Sequence, residues 1–290
     1  KPEFLLGFNP FSPRSGDVST QVENRITATT KPWGMENTDQ SPRMERICRM
    51  LYHFLIEADE NLYNAFTLLR FGRKETRQYA LGQVRTDAAK QLWEDMNAIT
   101  SLTRWQDQTE STMNRLLRFV AQESIRVSTS LRPATLDIAE IIRQKAILLI
   151  NLRVSDYLSM EAARVFAALL LNEFFEAAMR RAADPPPKTY YLYLDEFQEY
   201  ITSDMAGMLD SVRKGGLHLV MAHQRMMHLY RQPEVLDSVL TNAKIRVVFG
   251  GLRYPAAAEL AQEMMLHRIN ERQIVETYWR IETRYEEETR

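Results

Sequence analysis

Four short apolar segments, separated by stretches with helical spacing, constrain the fold of this chain most strongly. They span residues 146–152, 190–194, 217–222 and 245–249. A short, mostly apolar run of this kind is typical of a strand that is covered on both faces. Strands that alternate with helices imply right-handed crossovers between parallel neighbours. The sequence therefore predicts an α/β fold that is built on a parallel sheet.

The stretch 41–132 differs from the rest because it shows helical spacing without the short apolar runs. Pro42 stands at the first position of a predicted helix, and apolar residues then repeat on one face. Residues 1–40 are rich in turn-forming residues instead. We therefore predict three parts: a lead-in segment 1–40, an all-α domain 41–132 and a sheet-containing core 133–290.

Charge and cysteine content narrow the classes of function. The 290 residues include 37 Lys and Arg against 38 Asp and Glu, which gives a net charge of −1. A chain with this balance has no overall positive field, so any nucleic-acid surface must be local. The single cysteine, Cys48, excludes an intramolecular disulfide and a multi-cysteine metal site. No apolar run is long enough to predict a membrane span in this sequence.

Polar residues follow two of the predicted strands at the point where each strand ends. Asp195 and Glu196 come directly after one strand, and His223 and Gln224 come after the next. In nucleotide hydrolases, the first of two such carboxylates holds Mg²⁺ through water, and the second positions and deprotonates the attacking water. Gln224 would then sense the γ-phosphate, while His223 is expected to be structural. The alternative is a strand that simply ends in charged residues at the solvent boundary.

Four segments of the chain follow one another in a distinctive order and spacing: 191–198, 208–216, 219–224 and 242–251. Together they resemble the second half of the motor domain of type IV secretion coupling proteins and their relatives in the HerA/FtsK superfamily. The resemblance is strongest between residues 146 and 251. In addition, the segment 7–11 is similar to the "NPL"-type element of these proteins, and the helical module after Pro42 is similar to their inserted all-α domain. The resemblance covers about residues 5–265.

This resemblance implies a RecA-like parallel sheet with an inserted all-α domain. It implies ATP and Mg²⁺ as cofactors, a hexameric ring, DNA as a partner, and secretion or relaxosome proteins as further partners. The function expected is that of an ATP-driven DNA translocase, which recruits and pumps DNA or nucleoprotein in conjugation or type IV secretion. The expected location is cytoplasmic, at the inner membrane if an anchor lies outside this sequence. Two alternatives stay open: a HerA-like helicase in DNA processing or defence, and a nucleotide-free protein-recognition module on a degenerate scaffold.

The phosphate-binding loop of such ATPases is missing from this sequence. That loop reads G-x-x-x-x-G-K-[ST], and none of the ten glycines belongs to such a motif. Either residue 1 lies downstream of the loop, or the chain is a degenerate homologue that binds no nucleotide. In both cases we expect the 290 residues alone to be inactive as an ATPase.

Arg213 is a candidate for a residue that acts on the nucleotide of a neighbouring subunit. It follows the predicted helix after the Asp-Glu strand, where a basic residue near the subunit edge could serve as an arginine finger. The alternative is a cation that stabilises the end of a helix next to a glycine cap. The sequence leaves both interpretations open.

The densest group of basic residues lies within the helical module and is a candidate DNA contact. Phe71 and Tyr79 are interleaved with it, which favours contact with nucleic acid. The alternative is a solvated helix face. The basic residues are Arg70, Arg73, Lys74, Arg77 and Arg85.

Overall fold

Within its described residues, the protein is mostly helical and contains a small parallel sheet of two strands. The computed structural model describes residues 7–30, 42–131, 134–156, 158–181, 187–201, 207, 209, 211–224, 229–230, 232–249 and 257–258. The chain divides into two compact units, Lys1–Ser238 and Val239–Arg290. The predicted domain boundaries at residues 40 and 132 stay predictions.

The elements are numbered here in chain order. The helices are α1 (Val18–Thr30), α2 (Pro42–Glu57), α3 (Leu62–Leu68), α4 (Lys74–Gln83), α5 (Asp87–Asn97), α6 (Leu102–Val120), α7 (Glu123–Ser130), α8 (Ile138–Gln144), α9 (Met160–Arg181) and α10 (Pro233–Asn242). The strands are β1 (Tyr190–Leu194) and β2 (Leu217–Met221). Two 3-10 turns, Phe197–Glu199 and Arg213–Gly215, lie between the strands.

Two helices between residues 42 and 130 begin where a side chain satisfies a free backbone amide, whereas α4, α5 and α7 have no side-chain cap. Asn61 precedes α3, and its Oδ1 accepts a hydrogen bond from the Asn64 amide at 3.1 Å. Ser101 precedes α6 and accepts from the Arg104 amide at 3.4 Å. Such caps replace the hydrogen bonds that the first turn of a helix lacks. The helix predicted to begin at Pro42 is confirmed as α2.

Aromatic side chains hold this helical part together. Trp93 of α5 is fully buried and meets Phe54 of α2 edge to face, with ring centroids 6.2 Å apart. Trp105 of α6 is also buried, and its Nε1 donates to the Leu69 carbonyl at 2.7 Å. Buried aromatic rings of this size contribute much of the free energy of a core. The helical part therefore has an aromatic core, and it also packs on α1 through α2 and on α9 through α6.

The 22-residue helix α9 is buried along most of its length and organises the first unit. It contacts α1, α8 and the turn Arg213–Gly215. Among the described residues, no helix, α9 included, is both long and apolar enough to cross a membrane. Because α9 lies between the lead-in helix and the sheet, it sets the position of both.

A buried ion cluster of Arg25, Glu173 and Glu176 ties α1 to α9. Arg25 is 1% exposed; its Nη1 lies 2.7 Å from Glu176 Oε1, and its Nη2 donates to Glu173. Burial alone would raise the pKa of Glu176. The Arg25 charge and hydrogen bonds from Arg25, Asn24 and Asn172 outweigh that effect, so the pKa lies below its ordinary value. The contacts of the cluster therefore favour the charged form of the Glu176 carboxyl.

The segment 7–11 is packed inside the first unit. Phe8 and Phe11 are almost completely buried. The Asn9 side chain donates to the Glu60 carbonyl at 3.1 Å and accepts from the Phe11 amide at 3.0 Å. These contacts give the Asn-Pro-Phe sequence a structural role in joining the lead-in segment to the helices.

The sheet has one covered face and one exposed face. Leu194 of β1 pairs with Met221 of β2, and the strands run parallel. On the covered side, Tyr190 stacks on Phe174 of α9 with ring centroids 6.2 Å apart. On the other side, Tyr191 and Tyr193 are 58% and 71% exposed. The parallel pairing was predicted, but burial of the strands on both faces was not observed.

Two of the four predicted strands are absent from the described structure. Residues 146–152 and 245–249 form no strand, so the prediction of strands there is wrong. Ile147 and Leu149 are each 90% exposed, and Ile245 is 88% exposed. A strand exists only where a neighbour supplies hydrogen bonds, and no described strand pairs with either segment. The sheet is therefore smaller than the apolar pattern predicts.

Candidate functional site

The parallel pairing of β1 and β2 brings the predicted polar residues to one edge of the sheet. The ladder continues beyond the strands, because the Ala222 amide donates to the Leu194 carbonyl at 2.9 Å and the Phe197 amide donates to the Ala222 carbonyl at 3.1 Å. These bonds fix the chain immediately before and after Asp195 and Glu196. The carboxyl ends of parallel strands are where functional groups of α/β proteins collect.

Glu196 is the centre of this edge. Its backbone adopts the left-handed conformation, with φ 50° and ψ 44°. Gln224, three residues after β2, donates its Nε2 to Glu196 Oε1. Gln198, in the turn after β1, donates its Nε2 to Glu196 Oε2 at 2.6 Å. The structure thus joins two residues that the sequence placed on different strands, and each oxygen of the carboxylate accepts a bond from an amide.

Asp195 is exposed beside Glu196 and has a different environment. Its Oδ1 accepts a hydrogen bond from the Glu196 amide at 3.1 Å. Among the described residues, no group of three or more His, Cys, Asp and Glu side chains could hold a metal ion. Mg²⁺ at phosphate sites needs only one or two protein carboxylates, because water and phosphate oxygens complete its shell. An exposed Asp195 fits that requirement.

Several negative charges lie close together around these carboxylates. Burial raises the pKa of the Tyr200 phenol, and the charges of Glu199, Asp195 and Glu196 raise it further. Arg164 of α9 partly offsets this field, since its Nε donates to Glu199 Oε2 at 3.0 Å. An edge with this excess of carboxylates favours the binding of a cation over that of an anion.

His223 has a packing contact at this edge. Its ring lies perpendicular to that of Phe197, with centroids 5.6 Å apart. Phe197 is 1% exposed. This contact is compatible with the structural role expected for the histidine.

Arg213 lies in a turn whose two glycines are buried, Gly215 against α9 and Gly216 against the segment before β1. A Cβ on Gly215 would lie 1.8 Å from the Ala178 carbonyl oxygen, and one on Gly216 would lie 2.7 Å from the Lys188 carbonyl oxygen. Gly216 also has a φ of 75°. The glycines therefore serve close packing and a left-handed turn. Arg213 itself is exposed, and its contact with a neighbouring subunit stays a prediction.

Arg77 does not fit the predicted DNA surface, because its side chain is buried. It is 3% exposed, and its guanidinium lies 4.1 Å from the centroid of the Trp105 ring. It donates to the carbonyls of Arg70 and Phe71 at 2.7 and 3.1 Å, and to Asn97 Oδ1 at 3.0 Å. A guanidinium used in this way stabilises the connection between α3 and α4.

The other four basic residues of that group are exposed. They lie in or near α4, the helix that also carries Tyr79, which is 63% exposed. We call them the α4 basic group, and their contact with DNA stays a prediction. They are Arg70, Arg73, Lys74 and Arg85.

Sequence reasoning missed three residues of the sheet edge. Gln198 stands two positions after Glu196, a distance at which a tight turn brings side chains together. Arg164 and Glu199 pair across 35 positions, and no local pattern could have indicated that contact.

Comparison with known proteins gives a distant structural match. No family model and no curated protein matches the sequence. Among solved structures, the chain is similar to the unbound monoclinic form of the bacterial conjugative coupling protein TrwBdeltaN70, with a TM-score of 0.49 and 11% sequence identity. The match covers 80% of this chain and 53% of the other, so the chain spans about half the length of that protein.

Proposed function

We propose that this chain carries the hydrolytic edge of an ATP-driven DNA translocase. The contact between Gln224 and Glu196 is the observation that supports the proposal most directly. A strand that merely ended in charged residues would not need a polar partner from the neighbouring strand. The motif resemblance supplies the remaining expectations: a RecA-like core, a hexameric ring, and a role in conjugation or type IV secretion.

The three residues of the edge have separate roles in this proposal. Asp195, which is exposed, would hold Mg²⁺ through water. Glu196 would accept a proton from the attacking water. Gln224 is exposed and bonded to Glu196, so it could report the presence of the γ-phosphate to that carboxylate. When bound, Mg²⁺ would neutralise charge that develops on the phosphate oxygens.

The proposal requires a phosphate-binding loop from outside these 290 residues. Backbone amides of such a loop hold the phosphates, and its lysine neutralises their charge. Residues 1–290 contain no sequence of that type. We therefore propose that the chain supplies the carboxylate half of a site whose other half lies elsewhere in the full-length protein.

The test is Glu196→Gln in the full-length protein that contains this chain. Loss of a general base lowers turnover by about two orders of magnitude or more, while the neutral amide leaves nucleotide binding intact. Radiolabelled ATP hydrolysis and equilibrium ATP binding measure the two effects separately. Glu140→Gln on α8, whose carboxylate accepts from Arg143 of the same helix, is the matched control and should hydrolyse ATP at the wild-type rate. Equal turnover by Glu196→Gln and wild type would exclude this function for the sheet edge.

DNA contact by the α4 basic group has its own test. Each Arg or Lys that meets a phosphate releases counterions, so removing it flattens the salt dependence of binding by about one unit of slope. Arg73→Ala with Lys74→Ala should therefore weaken duplex DNA binding and reduce the slope by about two units. Arg143→Ala on α8 serves as the control. A slope that the double variant does not change would exclude the group from DNA contact.

A further inference from the structure

Gln198 occupies a position at the sheet edge that the roles above do not explain. It is 9% exposed, whereas Gln224 is exposed. Both glutamines donate to the same carboxylate, one to each oxygen. The two amides therefore differ in their freedom to move, although they share a partner.

Backbone bonds hold Gln198 in a tight turn. The Glu199 amide donates to the Glu196 carbonyl at 2.9 Å, and the Tyr200 and Ile201 amides donate to the Phe197 carbonyl at 3.1 and 3.0 Å. Phe197 is fully buried beneath this turn. Gln198 and Glu196 thus belong to one rigid segment, while Gln224 reaches the carboxylate from another strand.

The orientation of the Gln198 amide is set by its contact with Glu196. A rotated amide would place its oxygen against a carboxylate oxygen, which is repulsive. The Gln198 Oε1 is itself buried and has no hydrogen-bond partner within the described structure. Burying an unpaired acceptor costs free energy, so the bond from Nε2 to Glu196 has to compensate for it.

We propose that Gln198 is a positioning residue, which keeps the Glu196 carboxylate in place when Gln224 turns toward the nucleotide. This inference rests on the proposed function. Glu196 has a left-handed backbone, which is unfavourable for a residue with a side chain. A fixed donor two residues away limits the directions that its carboxylate can take. A general base works only within a narrow range of positions.

A direct measurement of the contact uses the 290-residue chain. The side-chain amide signals of Gln198 and Gln224 in a ¹⁵N NMR spectrum are assigned by their loss in Gln198→Leu and Gln224→Leu. Glu196→Ala should shift both pairs of signals and speed their exchange with water. Gln144→Leu, which removes a glutamine that donates to Glu140 on α8, should leave them unchanged. If Glu196→Ala leaves the Gln198 signals unchanged, the positioning role of Gln198 is overturned, while the proposed function of the sheet edge is not.

Kinetics in the full-length protein test the consequence. Gln198→Leu should lower kcat for ATP hydrolysis about tenfold with KM changed less than about twofold, because a misplaced base affects the chemical step rather than binding. Gln198→Glu, which keeps the shape but places a second carboxylate beside Glu196, should lower kcat further. Thermal unfolding of both variants separates this effect from loss of folding. Folded variants with wild-type kcat would overturn the positioning role, whereas a wild-type protein without hydrolysis would overturn the proposed function and this role together.

Discussion

The helical part at residues 42–130 and the sheet at residues 190–221 complete their structures in different ways. Helices satisfy their own backbone groups, and those of the first region enclose two buried tryptophans. The sheet has only two strands within the described residues, and its tyrosines are exposed on one face. The difference shows that apolar content alone does not produce burial. A strand also needs neighbours that supply hydrogen bonds and cover its faces.

The largest effect on stability should come from the helical core. Trp105→Ala removes a buried ring, its hydrogen bond to Leu69 and the surface on which Arg77 rests. We expect a loss of about 3 to 5 kcal/mol in the free energy of unfolding. Denaturant unfolding followed by circular dichroism measures it. A loss below about 1 kcal/mol would show that this core is not the stable region.

A smaller effect should come from the turn between the sheet and α9. Gly215→Ala places a Cβ against the Ala178 carbonyl oxygen, and we expect a loss of about 1 to 3 kcal/mol from the forced shift. Gly82→Ala in α4 is the matched control, because nothing lies within 4 Å of the position that its Cβ would take. The control should be neutral or slightly stabilising, since alanine is the better helix former. Equal unfolding midpoints for both variants would contradict the close packing.

The buried ion cluster should make stability depend on acid pH. Because the folded pKa of Glu176 lies below its ordinary value, the carboxyl stabilises the fold above its unfolded pKa. That contribution disappears as the pH falls through the folded pKa. Urea unfolding between pH 7 and pH 3 should show the decline, and Glu176→Gln should reduce the part that this group contributes. If Glu176→Gln and the wild type had the same dependence of stability on pH, the ion cluster would not be the cause of that dependence.

The smallest effect should come from the exposed face of the sheet. Tyr193→Ala removes a side chain that is 71% exposed, so we expect a change within about 0.5 kcal/mol in the 290-residue chain. Chemical denaturation against the wild type measures it. A loss comparable to that of Trp105→Ala would mean that the tyrosine face is covered in solution.

The sequence predicted those features that local chemistry determines. Pro42 and the apolar face behind it indicated α2, and the order of Asp195, Glu196 and Gln224 after their strands indicated a shared edge. The pattern could not show whether residues 146–152 and 245–249 find strand partners, because strand pairing depends on residues that are distant in the sequence. Nor could it show that Arg77 is buried, since a basic residue among other basic residues looks exposed until its carbonyl acceptors are known.

The register of the two strands determines which residues meet at their carboxyl ends. The Tyr190 amide donates to the Gly216 carbonyl at 2.8 Å at one end, and Leu194 lies opposite Met221 at the other. A slip by one residue would displace Gln224 by about 3.3 Å along the strand and reverse the face on which it lies. Gly216, whose left-handed turn comes directly before β2, therefore helps to fix the register on which the contact between Gln224 and Glu196 depends.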